Sequence, residues 1–239
     1  MKLAPEEFAS AAAEVAAHAA GLIRPGMRLG LGSGRMASAF IEALRPRIAS
    51  GLEVKGLCAS EASEALARDV GIELLLASGG VLDLDVDGAD EFDTQLNLIK
   101  GGGGALLREK VVAQSSRRFW VLADSSKEVG QLGSTNTLPV EVLPFDWEGT
   151  AARCQAQLSC RSERRRQPTN EPFVTDNGNF LLDLHFETGM ADPREAASRL
   201  GEIAGVLGHG LFLGLATAAI VFDQGTVRVL GQLDQERIL

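Results

Sequence analysis

The sequence predicts an α/β fold, in which a doubly wound, mainly parallel sheet is joined to a smaller α+β domain. Two observations lead to this prediction. Apolar runs that suit buried strands alternate with helical segments from residue 27 to about residue 125, which is typical of a parallel sheet with helices on both faces. After residue 138 the order becomes strand, helix, strand, strand, helix, strand, which is the order of a split β-α-β unit.

The first elements are a helix, a strand and a glycine loop. Residues 5–20 are rich in alanine, start with Pro5 and end before Gly21, so they predict a helix. Residues 27–44, MRLGLGSGRMASAFIEAL, predict a strand, a loop shaped by three glycines and a second helix. The free N–H groups at the start of that helix would make a ready phosphate site. The alternative is a plain strand-to-helix turn.

This glycine loop fits neither of two familiar nucleotide-binding patterns. A Walker A loop needs a lysine and then Ser or Thr after its last glycine, whereas Gly34 is followed by Arg35 and Met36. The dinucleotide pattern needs a third glycine where Arg35 stands and an acid at the end of the next strand, which ends at Cys58. An isolated phosphate therefore suits the loop better than NAD, and a nucleotide-dependent oxidoreductase is disfavoured.

A strand rich in aspartate follows. Apart from Val81, the segment VLDLDVD (81–87) alternates strictly between apolar residues and aspartates, so it predicts a strand with two different faces. We expect Asp83 and Asp85 to be solvated. Asp87 ends the strand, and Gly88 allows a sharp turn that is expected to leave Asp90 and Glu91 near it.

The stretch LIKGGGGALLREK, residues 98–110, contains several ionisable residues close to a run of glycines. It sets Lys100, four consecutive glycines and Glu109 within ten positions. Glycines let the backbone approach a ligand closely and leave N–H groups to point at it. The residues after the glycines are good helix formers, so Glu109 is expected about one turn inside a helix. A lone glycine run is more often a turn with solvated charges, but the acids and the lysine around this one favour a site.

The parallel series is expected to end with residues 118–124, a strand that leads to a loop carrying Lys127. The carboxyl ends of parallel strands meet at the same edge of a sheet. Each of four candidate residues follows a strand, so we expect them at one edge: Ser33, Asp87, Lys100 and Lys127.

The second half predicts a separate small domain. Its expected strands and helices are 138–145, 148–160, 172–175, 179–186, 193–204 and 205–210. This order predicts a ferredoxin-like domain at residues 132–206, beside a Rossmann-like domain at residues 1–131 and 207–239. Residues 211–222 and 226–230 are expected to return to the main sheet. The run RSERRR, residues 161–166, is expected to be a solvated loop.

Composition limits the classes of function. Of 239 residues, 45% are hydrophobic and 23% charged, as in a soluble globular protein, and a formal charge of −9 gives no reason to expect a nucleic-acid partner. The cysteines at 58, 154 and 160 have no metal-binding spacing, so we expect free thiols in a reducing cytoplasm. No signal peptide is expected, and the longest apolar run is too short for a bilayer, so no membrane partner is expected.

The motifs in this order resemble the ribose-5-phosphate isomerase family of type A. The pair DGADE and KGGGGA-x-x-REK is a specific signature, whereas glycine loops alone would not be. The matching segments extend from the first glycine loop to near the C-terminus: GLGSGRMA (30–37), DGADEFD (87–93), LIKGGGGALLREKVVA (98–113), VLADSSK (121–127), LPVEV (138–142), VTDNGNFLLD (174–183) and GHGLFLG (208–214).

The resemblance implies an enzyme that interconverts ribose 5-phosphate and ribulose 5-phosphate in the non-oxidative pentose phosphate pathway. It implies that no metal or cofactor is needed and that the chain forms a homodimer, or alternatively a tetramer. The implied substrate-binding positions are Ser33, Gly34, Arg35, Met36, Asp87, Gly88, Ala89, Asp90, Lys100, Gly101, Gly102, Gly103 and Lys127.

The implied chemistry suits the acidic residues. Aldose–ketose isomerisation moves a proton between C1 and C2 through an enediolate, and one carboxylate can make both transfers. The resemblance implies Glu109 for this base. Lys100 and the glycine-loop amides are candidates for stabilising the developing oxyanion. Asp87 is expected to move protons among the sugar oxygens, and Asp90 to orient hydroxyl groups.

The chain departs from the family at the phosphate loop. Family members commonly have Thr-Gly-Ser-Thr where this chain has Ser-Gly-Arg-Met, so two hydroxyl donors are lost. Arg35 is expected to compensate with a charge-assisted bond if its side chain turns inward. Two alternatives stay open: a non-catalytic sensor of sugar phosphates, and an isomerase of a different phosphosugar.

Overall fold

The computed structural model describes residues 4–76 and 80–237, and the chain divides into two compact units. The first unit contains the described residues up to Ala89, together with Arg108–Glu128 and those from Gly214 onward. The second unit contains Asp90–Leu107 and Val129–Leu213. The predicted domain boundaries differ from these units, because residues 90–107 group with the second unit. The division into domains at 131 and 207 stays a prediction.

The described chain alternates helices and strands along most of its length. In chain order the elements are α1 (Pro5–Gly21), β1 (Arg28–Leu31), α2 (Gly34–Ala49), β2 (Lys55–Cys58), α3 (Glu61–Val70), β3 (Glu73–Leu74), β4 (Leu84–Gly88), β5 (Glu91–Phe92), β6 (Leu98–Ile99), α4 (Leu106–Gln114), β7 (Phe119–Asp124), β8 (Leu138–Val142), α5 (Trp147–Leu158), β9 (Arg161–Arg164), β10 (Phe180–His185), α6 (Pro193–Gly201), β11 (Val206–His209), β12 (Leu211–Phe212), β13 (Ala218–Asp223) and β14 (Thr226–Gly231).

The first unit is built on a seven-stranded sheet. Its strand order is β14-β13-β7-β4-β1-β2-β3. All neighbouring strands are parallel except β13 and β14, which form an antiparallel hairpin at one side. The predicted doubly wound, mainly parallel α/β fold is therefore confirmed. The carboxyl ends of the adjacent strands β1, β4 and β7 lie at one edge.

Helices pack on both faces of this sheet. On one face, Leu29 and Leu31 of β1 join the buried residues of α1 and α2 in the main apolar core. Gly30, between them, faces the other side, because side chains alternate along a strand. A Cβ atom at Gly30 would lie 2.5 Å from Cγ1 of Val112, which belongs to α4. Helix α4 therefore covers the second face closely, and Gly30 makes the room.

The expected solvation of Asp83 and Asp85 is wrong for Asp85. Asp85 is 1% exposed, whereas Asp83 is half-buried and accepts a hydrogen bond from the N–H of Arg28 at 2.8 Å. The strand β4 lies in the middle of a sheet that is covered on both faces. Alternation of apolar and polar residues therefore does not mean that the polar side meets water here.

The second unit contains a four-stranded antiparallel sheet in the order β11-β8-β10-β9. With α5 after β8 and α6 after β10, this arrangement confirms the predicted split β-α-β architecture. The expected strand at 172–175 is wrong, since this segment makes only isolated bridges, such as Val174 with Phe180. The strand between α5 and β10 is β9 instead.

The run expected to be a solvated loop, residues 161–166, therefore provides a strand. Its side chains alternate between exposed and half-buried positions in β9. Arg164 lies over the rings of Trp147 and Phe180, with its guanidinium carbon 4.2 and 5.1 Å from their centroids. Arginine can cover apolar surface with its stem and planar head, so a row of arginines does not exclude a packed strand.

A small three-stranded sheet completes the second unit. Its order is β12-β6-β5, and its neighbouring strands are antiparallel. Residues 211–222 were expected to return to the main sheet together, but Leu211 and Phe212 pair with β6 instead. The strands β13 and β14 do return to the main sheet, as predicted.

Candidate active site

The first glycine loop, residues 30–34, brings Ser33 next to Asp87. Asp87 lies in β4 and is fully buried. Its Oδ1 accepts hydrogen bonds from the N–H of Ser33 at 3.0 Å and from the N–H of Gly88 at 2.7 Å. A Cβ atom at Gly32 would lie 2.0 Å from Cγ of Asp87. The absence of a side chain at Gly32 therefore makes room for a buried carboxylate.

Ser33 also holds the second carboxylate of this unit. Glu109 lies in the first turn of α4 and is 4% exposed. The Oγ of Ser33 donates a hydrogen bond to Oε1 of Glu109 at 2.6 Å. Serine often caps the helix that follows it, but this hydroxyl makes no capping bond to α2. Ser33 thus links Asp87 through its backbone and Glu109 through its side chain.

The N-terminus of α2 follows directly. The first N–H groups of a helix have no partner within the helix, and they carry a partial positive charge that favours anions. Met36 is 8% exposed and packs in the main core. The guanidinium carbon of Arg35 lies 3.8 Å from the ring centroid of Phe8 in α1. The expected inward turn of Arg35 is therefore not what the structure shows, and its head is held by α1.

Two of the predicted edge residues lie where expected, after strands adjacent to β1. Asp87 is the last residue but one of β4, and Lys127 follows β7 in a short 3₁₀ helix, Ser125–Lys127. Because β7, β4 and β1 are parallel neighbours, these residues and Ser33 lie at the same edge. Lys100 instead follows β6, which pairs with β5 and β12 in the small sheet of the second unit, so the expectation that it follows a strand of the main sheet is wrong.

The second unit brings Asp90 and Lys100 to one end of the β5–β6 hairpin. Glu91 pairs with Ile99, and the N–H of Asp90 donates to the carbonyl of Ile99 at 2.8 Å. Lys100 is 3% exposed, and its Nζ lies 5.5 Å from the ring centroid of Phe212. Asp90 precedes β5 and Lys100 follows β6, so a carboxylate and a cationic group lie at the same end of this short hairpin.

The second glycine loop, residues 101–104, has two kinds of glycine. Gly101 and Gly104 have φ of +103° and +95°, which favour glycine. A Cβ at Gly104 would also lie 2.5 Å from Cζ of Phe173. Gly102 and Gly103 are exposed, and the N–H of Gly102 donates to Oδ2 of Asp90 at 2.7 Å. The outer glycines shape the loop, and the inner ones present their backbone.

Two polar residues, one buried and one half-buried, have partners that the sequence analysis did not predict. Glu91 is fully buried, and its carboxylate accepts hydrogen bonds from the N–H groups of Gly133, Thr135 and Asn136 at 2.5–2.8 Å. Arg165 donates to two carbonyls of the second glycine loop. Nothing in the sequence connects either residue to its distant partner. In the run RSERRR, an arginine that binds a loop looks the same as one that is solvated.

The remaining polar groups add little chemistry. Across residues 4–76 and 80–237, His, Cys, Asp and Glu side chains form no group of three that could hold a metal ion. The three cysteines are free thiols, as predicted, and burial raises the pKa of Cys58 to about 12. None of the helices that the structure describes has the length and apolar character needed to cross a membrane.

A doubly wound fold with carboxylates and a helix N-terminus at one sheet edge is typical of enzymes that act on small anionic substrates. Comparison with known proteins narrows this class. The family model of ribose 5-phosphate isomerase A (phosphoriboisomerase A) matches residues 55–225. A ribose-5-phosphate isomerase A from Ruegeria sp. (strain TM1040) is 43% identical over 235 residues, covering 93% of this chain and 89% of the relative.

Solved structures agree with the sequence comparisons. The ribose 5-phosphate isomerase from Plasmodium falciparum has a TM-score of 0.90 at 34% identity, covering 94% of this chain and 99% of that chain. A D-ribose-5-phosphate isomerase in complex with phospho-erythronic acid has a TM-score of 0.89 at 32% identity, covering 93% and 98%. The chain therefore belongs to the ribose-5-phosphate isomerase A family, which confirms the resemblance.

Proposed function

We propose that this protein interconverts D-ribose 5-phosphate and D-ribulose 5-phosphate through an enediolate, with Glu109 as the base. Membership of the isomerase family supports the reaction. The observation that carries the role of Glu109 is its position in the first unit. The carboxylate is buried, and Ser33 binds it from the loop that also binds Asp87.

The base carries one proton between C2 and C1 of the sugar. It removes the proton from C2 of the opened aldose and returns it to C1, and the reverse reaction uses the same group. Glu109 suits this task because its hydrogen bond to Ser33 fixes the carboxylate in one orientation before the substrate arrives. A fixed group loses little freedom when the reaction begins, so the alignment contributes directly to the rate.

Asp87 is proposed to move protons among the sugar oxygens and to assist ring opening. Both of its backbone hydrogen bonds, from Ser33 and Gly88, reach Oδ1. The orientation of the carboxylate is therefore set by the main chain of β4 and of the loop that follows β1. This arrangement supports a second acid–base group that keeps its position while the first takes the carbon-bound proton.

The phosphate is proposed to bind the N-terminus of α2, at positions Ser33 to Met36, with Lys127 as a further contact. Arg35 stacks on Phe8 and Met36 is buried, so the main chain supplies the donors at these two positions. An anchored phosphate provides binding energy away from the reacting carbons, and this energy can be used to position C1 and C2. The unusual residues of this loop keep an isomerase of a different phosphosugar as the second candidate.

Lys100 and the second glycine loop are proposed to bind the reacting end of the sugar. A buried ammonium group is suited to the charge that develops on the enediolate oxygens, and losing one such donor costs about 2.7–4 kcal/mol of barrier. Gly88, Ala89, Gly101, Gly102 and Gly103 stay predicted substrate-binding residues, and Asp90 stays the predicted orienting group. The related isomerase solved with phospho-erythronic acid binds a phosphorylated sugar acid, which supports this class of ligand.

Three further expectations stay predictions. They are a homodimer or tetramer, a cytoplasmic location, and a reaction that needs no metal or cofactor. An assay with a chelator tests whether the reaction needs a metal, and purified protein with no added cofactor tests the rest of the last expectation.

The decisive experiment is the conversion of ribose 5-phosphate to ribulose 5-phosphate in the presence of EDTA. Wild type and Glu109→Gln are compared, with Glu148→Gln as the matched control. Glu148 also lies in the first turn of a helix, α5, but it is exposed. We expect turnover by wild type and by the control, and a loss of about 10²–10⁴-fold in kcat for Glu109→Gln.

Two other outcomes would change the proposal. Activity retained in folded Glu109→Gln would keep the enzyme but remove Glu109 as its base. An absence of turnover by folded wild type, with turnover of another phosphosugar, would move the function to the second candidate. Circular dichroism of each variant establishes that it is folded.

A further inference from the structure

Arg165 makes an unusually complete set of hydrogen bonds for a residue in an arginine run. Its side chain is 15% exposed, and its guanidinium binds both carboxylate oxygens of Asp183 in β10. This bidentate geometry is the strongest that a carboxylate and an arginine can adopt. Oδ1 of Asp183 also accepts from Oγ1 of Thr137 at 3.2 Å, so the anchor of the arginine is itself held.

The third nitrogen of the guanidinium reaches the second glycine loop. Nη1 of Arg165 donates to the carbonyls of Gly101 and Gly102, at 2.9 Å each. In a trans peptide the carbonyl and the following N–H point in opposite directions. Holding these two carbonyls therefore directs the N–H groups of Gly102 and Gly103 away from Arg165. The N–H of Gly102 does reach Oδ2 of Asp90 on that other side.

The same contacts change the strength of these donors. A cation at a carbonyl oxygen polarises the whole peptide unit and makes its N–H a better hydrogen-bond donor. Arg165 acts in this way on two successive peptide units of the loop, whose backbone is also held by the bond from the N–H of Gly104 to the carbonyl of Gly101 and by the bond from Gly102 to Asp90. One side chain can thus set both the direction and the polarity of the exposed part of the loop.

We propose that Arg165 is a positioning residue for the isomerase reaction, which holds the Gly102–Gly103 peptide so that the N–H of Gly103 is aimed at the substrate while the N–H of Gly102 stays on Asp90. This inference rests on the proposed role of the second glycine loop in binding the sugar. Arg165 does not touch the substrate itself. Lysine cannot replace it, because an ammonium group lacks the planar fork that binds one carboxylate and two carbonyls together.

The test compares Arg165→Lys with Arg166→Lys, the same substitution one residue further along. Arg166 is exposed and donates to the carbonyl of Asn170. Two measurements are made on each protein. One is kcat and KM for ribose 5-phosphate, and the other is the amide resonances of Gly102 and Gly103 in protein labelled with ¹⁵N-glycine.

For Arg165→Lys we expect kcat to fall by about 10- to 100-fold, with a smaller change in KM, since the donors are misdirected while the phosphate site is intact. The two amide proton resonances should move upfield, and the amide protons themselves should exchange faster with solvent. Arg166→Lys should match wild type in both measurements. Folded Arg165→Lys with wild-type kcat, or with unchanged amides, would overturn the proposal, and so would a loss of thermal stability alone.

A second variant tests the same proposal if Arg165→Lys does not fold. Asp183→Asn retains Arg165 but weakens its anchor, and it should move the same two amides by a smaller amount. If wild type itself does not convert ribose 5-phosphate, the proposed function fails, whereas the amide resonances still decide whether Arg165 directs the loop.

Discussion

Glycine fills three of the five positions 30–34 and all four positions 101–104, yet the two loops need it for different reasons. In the first loop, Gly32 leaves space for the side chain of Asp87, whose Cγ would lie 2.0 Å from an added Cβ. Positive φ is common to both loops, at Gly34 in the first and at Gly101 and Gly104 in the second, but the second loop also presents the exposed backbone of Gly102 and Gly103.

The partners of the two loops differ in the same way. The first loop fixes carboxylates, since Ser33 binds Asp87 and Glu109. In the second loop, side chains fix the backbone, since Arg165 binds two carbonyls and Asp90 binds one N–H. A substitution in the first loop should therefore disturb acid–base groups, whereas one in the second should disturb hydrogen-bond donors.

The largest effect is expected for Gly32→Ala. The new methyl group would overlap with Asp87, which is fully buried and held by two backbone hydrogen bonds, so the carboxylate must move. We expect kcat/KM for ribose 5-phosphate to fall by at least about 100-fold in the folded fraction. Thermal unfolding measures the accompanying loss of stability, about 1–3 kcal/mol for overpacking.

The corresponding change in the second loop, Gly102→Ala, is the control for this comparison. Its added Cβ would lie 2.6 Å from Oδ1 of Asp90, the end of a half-buried side chain that can rotate. A loss of roughly tenfold is expected, because a smaller displacement relieves the overlap. Equal losses in the two variants would show that the loops do not differ as described.

The next effect concerns the hydroxyl group of Ser33. Ser33→Ala removes the bond to Oε1 of Glu109, and hydrogen bonds to charged groups contribute about 1.5–3 kcal/mol. The lost bond favoured the ionised carboxylate, so the acidic limb of the kcat/KM profile should move to higher pH. Ser33→Thr keeps a hydroxyl group and should retain the wild-type profile. Identical profiles for all three proteins would exclude a role for this hydroxyl in setting the base.

The smallest effect is expected at Lys110, which follows Glu109 on α4, and it concerns the stability of the fold rather than activity. Burial lowers the pKa of Lys110 to about 8, whereas an exposed lysine titrates near 10.5. Between these pH values the unfolded chain binds a proton that the folded protein has lost, so the free energy of unfolding should rise with pH. Lys110→Met should be more stable than wild type by up to about 3 kcal/mol below pH 8.

Urea unfolding at pH 7, 9 and 10.5 measures this difference, which should shrink as the pH rises. Lys55→Met is the control, because Lys55 is half-exposed and pairs with Glu73 at the surface. If the stability difference for Lys110→Met does not change with pH, the pKa of this half-buried lysine is not lowered.

Local sequence predicted much of the first unit. The strands that end near Asp87 and near Ser33 were recognisable from apolar runs followed by glycine and polar residues, and parallel pairing then places these ends together. The same reasoning failed for Asp85, because burial of a strand on both faces depends on α4 covering the second side. It also failed for Lys100, whose two-residue strand pairs in a different sheet.

The sequence by itself determined the α/β order of elements, the glycine loops and the acidic residues of the family signature, because these depend on local periodicity and residue type. The tertiary structure decided which groups meet. Ser33 reaches Glu109 across 76 positions, and Arg165 reaches the carbonyls of Gly101 and Gly102 across 64 and 63. Such bonds depend on strand pairing and side-chain direction between distant segments, and no local pattern records them.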